Sequence, residues 1–155
     1  MPFTPYHAGP ALFFAAALSP IVSFPVFLAA SLLPDLEGLL WTLGFDAQQH
    51  GLLHSYFGAL VIALLLGFVA FKYRSLFDRF ELFQRKRPLR DYLFSAVAGA
   101  WLHVFIDSLV YADQNPFLPF KGNPLAGFAT YEVAAVACVL FALAGLMLYL
   151  AEKQK

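Results

Sequence analysis

No charged side chain occurs before Asp35, and the stretch from Ala8 to Leu33 is apolar almost throughout. Hydrophobic residues make up 61% of the 155-residue chain and charged residues 13%, against roughly 25% charged in an ordinary soluble domain. A water-soluble fold of this size cannot hide that much apolar surface, whereas lipid can act as its solvent. The expected fold is therefore all-α: a single membrane-embedded helical bundle over residues 1–155.

The punctuation of the apolar runs sets the segments. Pro20 and Pro25 interrupt the first run, and each proline removes a backbone donor and disfavours helix at the residue before it. This predicts two short helices, 9–19 and 25–33, folded as a hairpin, or alternatively one kinked span. Three long transmembrane helices are expected over 50–73, 91–112 and 131–150, each long enough at ~1.5 Å per residue to cross a ~30 Å hydrocarbon core. Residues 74–90 form a polar linker. Residues 113–129 hold Pro116, Pro119, Pro124, Gly122 and Gly127 and read as a loop. There is no internal repeat and no low-complexity segment.

Basic residues orient the bundle. No Lys or Arg precedes Lys72, and seven of the 10 lie between Lys72 and Arg90. The 74–90 linker is therefore expected in the cytoplasm, with Lys153 and Lys155 returning to the same side. A basic cluster between two apolar helices is not a nucleic-acid surface. Cys138, the single cysteine, excludes an intrachain disulfide. The start of the chain lacks a positive n-region, so the apolar N-terminal segment is expected to stay in the mature protein.

On that topology the unusual polar residues fall at one outer level. His7 precedes the first short helix, Asp35 and Glu37 follow the second, His50 and His54 open the third segment, and His103 and Asp107 close the fourth. His50/His54 and His103/Asp107 are each spaced i,i+4, one turn apart on a helix face. Two antiparallel helices with such pairs can surround a cation, and imidazole with carboxylate suits zinc best, with manganese or iron as alternatives. Ser95, Gly99, His103 and Asp107 recur at four-residue steps, and Gly58 continues the His50–His54 face. These small residues are expected to let the third and fourth segments approach beneath the site. Each element also has a plainer reading: a solvated His7, a helix-end turn at Asp35 and Glu37, interfacial histidines at 50 and 54, and a hydrogen-bonded packing pair at 103 and 107. Convergence of all of them, at a depth where ionisable groups are costly, favours a metal site.

The stretches Met1-Pro-Phe-Thr-Pro-Tyr-His7, Pro34-Asp35-Leu36-Glu37, His50-Gly-Leu-Leu-His54-Ser55 and His103-Val-Phe-Ile-Asp107 resemble the membrane-bound metal-dependent hydrolases, the group typified by the LexA-regulated inner-membrane hydrolase. The resemblance runs from His7 to about Gly127. That group is similar to the zinc-dependent phospholipases C and single-strand nucleases. The resemblance implies Asp35, His54, His103 and Asp107 as metal ligands, with His7 serving a neighbouring ion. This sequence departs from those soluble enzymes in having no histidine after His103 and Met1 in place of a processed tryptophan. One ion, or two at most, is therefore expected.

The resulting expectation is a multi-pass cell-membrane hydrolase of phosphoester or phospholipid-type substrates, its partners being the bilayer and a phospholipid or other envelope phosphoester. Its divalent metal faces the extracytoplasmic side. Glu37 or His50 acts as general base or completes a second site, and Lys121 is available to attract a phosphate. The competing readings are a metal-binding or metal-transporting membrane protein without hydrolysis, and a structural protein whose polar cluster only staples helices.

Overall fold

A computed structural model describes residues 5–45, 50–82 and 86–154. Residues 1–4 of the N-terminal motif, together with Arg85 and Lys155, lie outside the described residues. The described residues are helical, with no strand among them. The helices are α1 (Ala8–Ala17), α2 (Phe24–Ser31), α3 (Asp35–Thr42), α4 (Tyr56–Lys72), α5 (Arg74–Phe77), α6 (Leu89–Ser108) and α7 (Tyr131–Lys153). Short 3₁₀ turns cover Pro5–His7, Leu52–His54 and Asp78–Phe80.

The hairpin reading of the N-terminal segment holds. His7, just before α1, and Asp35, just after α2, both lie against His103: the His7 and His103 ring centroids are 4.1 Å apart, and Asp35 Oδ1 is 3.8 Å from His103 Nε2. The chain therefore leaves this point and returns to it. A 10-residue α1 extends only ~15 Å, about half the thickness of a hydrocarbon core.

The turn at the far end of the hairpin frees backbone groups, and residues from the 74–90 region satisfy them. Arg87 Nη2 donates to the Ser19 carbonyl at 2.6 Å and to Glu81 Oε2 at 3.2 Å. The amide of Phe24 donates to the same Glu81 oxygen at 3.2 Å, and that of Ser23 to Ser95 Oγ at 2.7 Å. The polar linker expected over 74–90 is thus partly interior. Glu81 and Arg87 are buried, and their hydrogen bonds satisfy backbone groups that an apolar surrounding would otherwise leave unbonded.

α6 is the axis of the molecule. It packs against α4 and against α2, while α1 packs against α7. The α4–α6 contact is built from Ala59, Ala63 and Ala70 against Tyr92, Ala96, Ala100 and Val104, small residues that bring helix axes close where lipid supplies no hydrophobic drive between them. Gly99 does not join this contact. A Cβ there would lie 2.3 Å from the Phe27 carbonyl oxygen, so Gly99 serves the α2–α6 approach. Gly58 turns to Leu52, not to α6: its Cβ would meet the Leu52 carbonyl oxygen at 2.0 Å.

Among the described residues one helix, α7, is long and apolar enough by itself to cross a membrane. Val136, Leu140, Leu143 and Met147 along it are exposed, an apolar surface that needs a non-aqueous solvent. The count rises to three when two bent pairs are each taken as one span: α2 with α3, bent by 45°, and α4 with the Arg74–Phe80 segment, bent by 84°. The expected trio of long spans is therefore modified. α4 ends at Lys72, and α6, although 20 residues long, carries Arg90, Asp91, Ser95, His103 and Asp107 along its length and is not apolar enough to qualify.

Candidate metal centre

The predicted ligands are delivered from four places in the chain. His7 ends the Pro5–His7 turn at the start of α1. Asp35 opens α3, whose first turn also holds Glu37, where carboxylates are favoured by the positive end of the helix dipole. This short helix was not expected; Pro34 followed by two acids in the next three positions is the start signal that carried it. His103 and Asp107 sit one turn apart near the end of α6, as the spacing predicted, and both are buried.

His50 and His54 do not share a helix face, contrary to the i,i+4 reading. His54 lies in the Leu52–His54 turn, and α4 begins only at Tyr56. Ser55 is the cause: its backbone is extended (φ −107°, ψ 151°), and its side chain accepts from the Gly58 amide at 3.0 Å, capping α4. The two rings nonetheless meet, with centroids 5.0 Å apart.

The imidazoles and carboxylates converge. His54 and His103 have ring centroids 5.4 Å apart. Asp107 is the hub: its Oδ1 lies 2.9 Å from His7 Nε2, and its Oδ2 lies 3.2 Å from His103 Nε2 and 3.6 Å from His54 Nε2. Three overlapping groups each bring one ligand atom per residue to within 4.8 Å of one another: His7/His103/Asp107, Asp35/His54/His103 and His50/His54/Asp107.

Hydrogen bonds behind the rings determine which nitrogen faces the cluster. His103 Nδ1 donates to the Ser31 carbonyl at 2.7 Å, which can only accept, so the Nε2 lone pair is the one turned inward. Glu37 Oε2 lies 3.3 Å from His54 Nδ1 and accepts the Leu53 amide at 2.9 Å, turning His54 Nε2 inward in the same way. Carboxylate or carbonyl behind imidazole is the usual support of a metal-ligating histidine. His50 Nδ1 is 2.8 Å from Asp113 Oδ2, and its ring lies against Tyr111 at 4.5 Å. Burial alone would raise the Asp113 carboxyl, but the hydrogen bond and charge of His50 outweigh it and leave it below the usual range. This contact is therefore held above the ordinary aspartate range and released as pH falls through the lowered value.

The inward side is a meeting of lone pairs. His103 Nε2 and Asp35 Oδ2 are buried without a hydrogen-bond partner, although His103 Nε2 has carboxylate oxygens at 3.2 and 3.8 Å. Acceptors facing acceptors at these separations repel unless a proton or a metal cation lies among them, and His7 Nε2, 2.9 Å from Asp107 Oδ1, is placed to supply one proton. Ligand atoms ~2.0–2.1 Å from a tetrahedral ion stand roughly 3.3 Å from one another; the contacts here are 2.9, 3.2, 3.6 and 3.8 Å.

The family model described as YdjM inner membrane protein matches residues 1–154. The chain belongs to that family. Membership makes it a membrane protein, consistent with the lipid-requiring surface of α7. No curated protein and no solved structure matches this YdjM-family chain.

One residue of the site gave no signal in the sequence. Gln114, fully buried, donates through Nε2 to the His54 carbonyl at 2.7 Å and the Val104 carbonyl at 3.2 Å. With the Tyr56 amide donating to the Pro116 carbonyl at 2.9 Å, it ties the His54 turn to α6 through the 113–129 loop. Lys121 is an exposed residue of that loop and belongs to none of the three ligand groups.

The position of Glu37 yields a prediction. Glu37→Gln keeps the shape but weakens the acceptor behind His54, so zinc affinity measured by competition with a chromophoric chelator is expected to fall about 10–100-fold. Unchanged affinity would mean that the Glu37–His54 contact does not orient the ring.

Proposed function

We propose that the chain is a membrane-bound metal-dependent hydrolase acting on a phosphoester of a lipid or related envelope molecule. The observation that carries this reading is the overlap at His54, His103 and Asp107 of three ligand triads, one of which adds Asp35, with His103 Nε2 and Asp35 Oδ2 buried and without a hydrogen-bond partner. These four residues would hold one divalent ion, zinc being the best match to the donor set, with manganese or iron as alternatives. His7 lies beside Asp107 and would serve a second. A bound ion of this kind supplies a Lewis acid that activates water near neutral pH and polarises a phosphoryl oxygen.

The protein's own contribution is to orient and to exclude. Ser31 and Glu37 set the tautomers of His103 and His54. His50, held by Asp113, stands beside His54 as the group best placed to accept a proton at the rim, while Glu37, engaged with Leu53 and His54, acts as a positioning residue. A lipid substrate is favoured over a water-soluble one by an apolar cavity of about 270 Å³ between α1, α6 and α7. It shares Ile106, Ala134 and Cys138 with a narrower gap that reaches His7 and Asp107.

In this reading the protein is multi-pass. α6 crosses within a sheath of α1, α2 and α4, and the metal site faces the extracytoplasmic side. The basic 72–90 region supports that orientation, since it lies at the start of α6, roughly 24 Å from Asp107 by the rise from Asp91.

The test is turnover of a chromogenic phosphodiester and of a short-chain phospholipid by metal-loaded protein in detergent. Metal-dependent hydrolysis that falls by at least about a hundredfold in His54→Ala is expected. Stoichiometric metal with no hydrolysis of either substrate would leave a metal-binding protein and remove the enzyme.

A further inference from the structure

At the opposite end of α6, Arg87 does more than hold the hairpin turn. Its side chain is completely buried. Nη2 is committed to Ser19 and Glu81, but Nε and Nη1 have no hydrogen-bond partner, and the nearest oxygen of Asp91 is 3.9 Å from Nη1, beyond hydrogen-bonding distance. A buried guanidinium with two unbonded nitrogens is a costly arrangement that a further acceptor would relieve.

Arg87 lines a cavity of about 360 Å³ together with Phe71, Arg74, Asp78, Lys86 and Pro88. The cavity lies where α4 bends by 84° into the Arg74–Phe80 segment. Arg74 stacks over the Phe71 ring, 5.1 Å from its centroid. Neither Arg74 nor Lys86 forms an ion pair among the described residues. Asp78, the one carboxylate among the described lining residues, accepts from the Tyr92 hydroxyl. Glu81 and Asp91 also face Arg87, but they are not among the lining residues.

We propose that this cavity binds a phosphate-bearing anion, supplied by the headgroup of an anionic phospholipid on the basic side of the membrane. The planar fork of arginine matches phosphate oxygens. Arg74 and Lys86 are exposed at this partly apolar hollow and Arg87 is buried in its wall; basic pockets of this kind on the basic side of a membrane hold anionic lipid headgroups. The site is separate from the metal cluster and stands or falls without it.

The test is native mass spectrometry of the detergent-solubilised full chain titrated with short-chain phosphatidylglycerol, phosphatidylcholine, or inorganic phosphate. Arg74 and Lys86 are not part of the buried bonding of the hairpin, so Arg74→Ala/Lys86→Ala leaves the fold and the metal content intact. The double variant is expected to bind phosphatidylglycerol about thirtyfold more weakly than the wild type, with the weaker phosphatidylcholine binding unchanged. If inorganic phosphate displaces phosphatidylglycerol at equal concentration, the phosphate chemistry stands and the source is the free anion. Equal binding of the two lipids by the wild type, or undiminished phosphatidylglycerol binding by the double variant, overturns the proposal.

Discussion

Chelation of the purified, metal-loaded protein is expected to lower its melting temperature by roughly 10 °C, and His103→Ala is expected to abolish that response. An ion present at about a thousand times its dissociation constant stabilises the folded state by about 4 kcal/mol, and a chain of this length loses about 2–4 °C per kcal/mol. The proposed ion would join three otherwise separate pieces of chain: the start of α3 through Asp35, the turn before α4 through His54, and the end of α6 through His103 and Asp107. Its removal returns buried carboxylates and imidazole lone pairs to mutual repulsion. His103 is the ring most tightly held, by the Ser31 carbonyl at 2.7 Å, and it lies within reach of both Asp35 and Asp107. Its truncation should bring metal content from about one ion per chain to below about a tenth. Asp107→Asn, which keeps volume while removing charge, separates ligation from packing, because it should lose metal as well. If the purified wild type holds no stoichiometric metal and melts identically with and without chelator, the cluster is only a polar staple between helices.

How much of this centre the sequence discloses depends on how the background is built. In a chain with four histidines and long uncharged runs, ionisable residues at membrane level are few, and their shared level follows from counting segments. His7, Asp35, His54, His103 and Asp107 were legible for that reason. Which way a residue faces was not. A helix that is apolar all round has no amphipathic stripe to mark its inner side, so the four-residue steps that placed Gly99 beneath His103 could not distinguish α4 from α2 as its neighbour. The His50–His54 spacing suggested a shared helix because the capping signal of Ser55 was outweighed by apolar continuity. Gln114 and the Glu81–Arg87 pair sit in segments that read as loop and linker, and their burial depends on backbone groups whose need for a partner arises only once the hairpin and the His54 turn are formed.

The α2–α6 approach that the sequence left ambiguous makes the fold and the site interdependent, and Gly99→Ala tests that dependence. A methyl at position 99 would stand 2.3 Å from the Phe27 carbonyl oxygen and 3.2 Å from the Ala30 side chain. The first contact is with backbone, which no rotamer change can relieve, so α2 must move away from α6. Overpacking of this kind costs about 3 kcal/mol, a fall of roughly 6–12 °C in melting temperature. The displacement does not end at the contact. Ser31, at the end of α2, supplies the carbonyl that fixes His103, and Asp35 begins the helix that follows. Lifting α2 therefore stretches both the His103 support and the Asp35–His103 approach, and metal affinity should fall together with stability, although no ligand has been altered. Met147→Ala, on the exposed face of α7, should change neither. A Gly99→Ala protein that melts within about 1 °C of the wild type and retains its metal affinity would mean that α2 and α6 are not in backbone contact, and that Asp35 is held beside His103 by something other than the seat of α2 on α6.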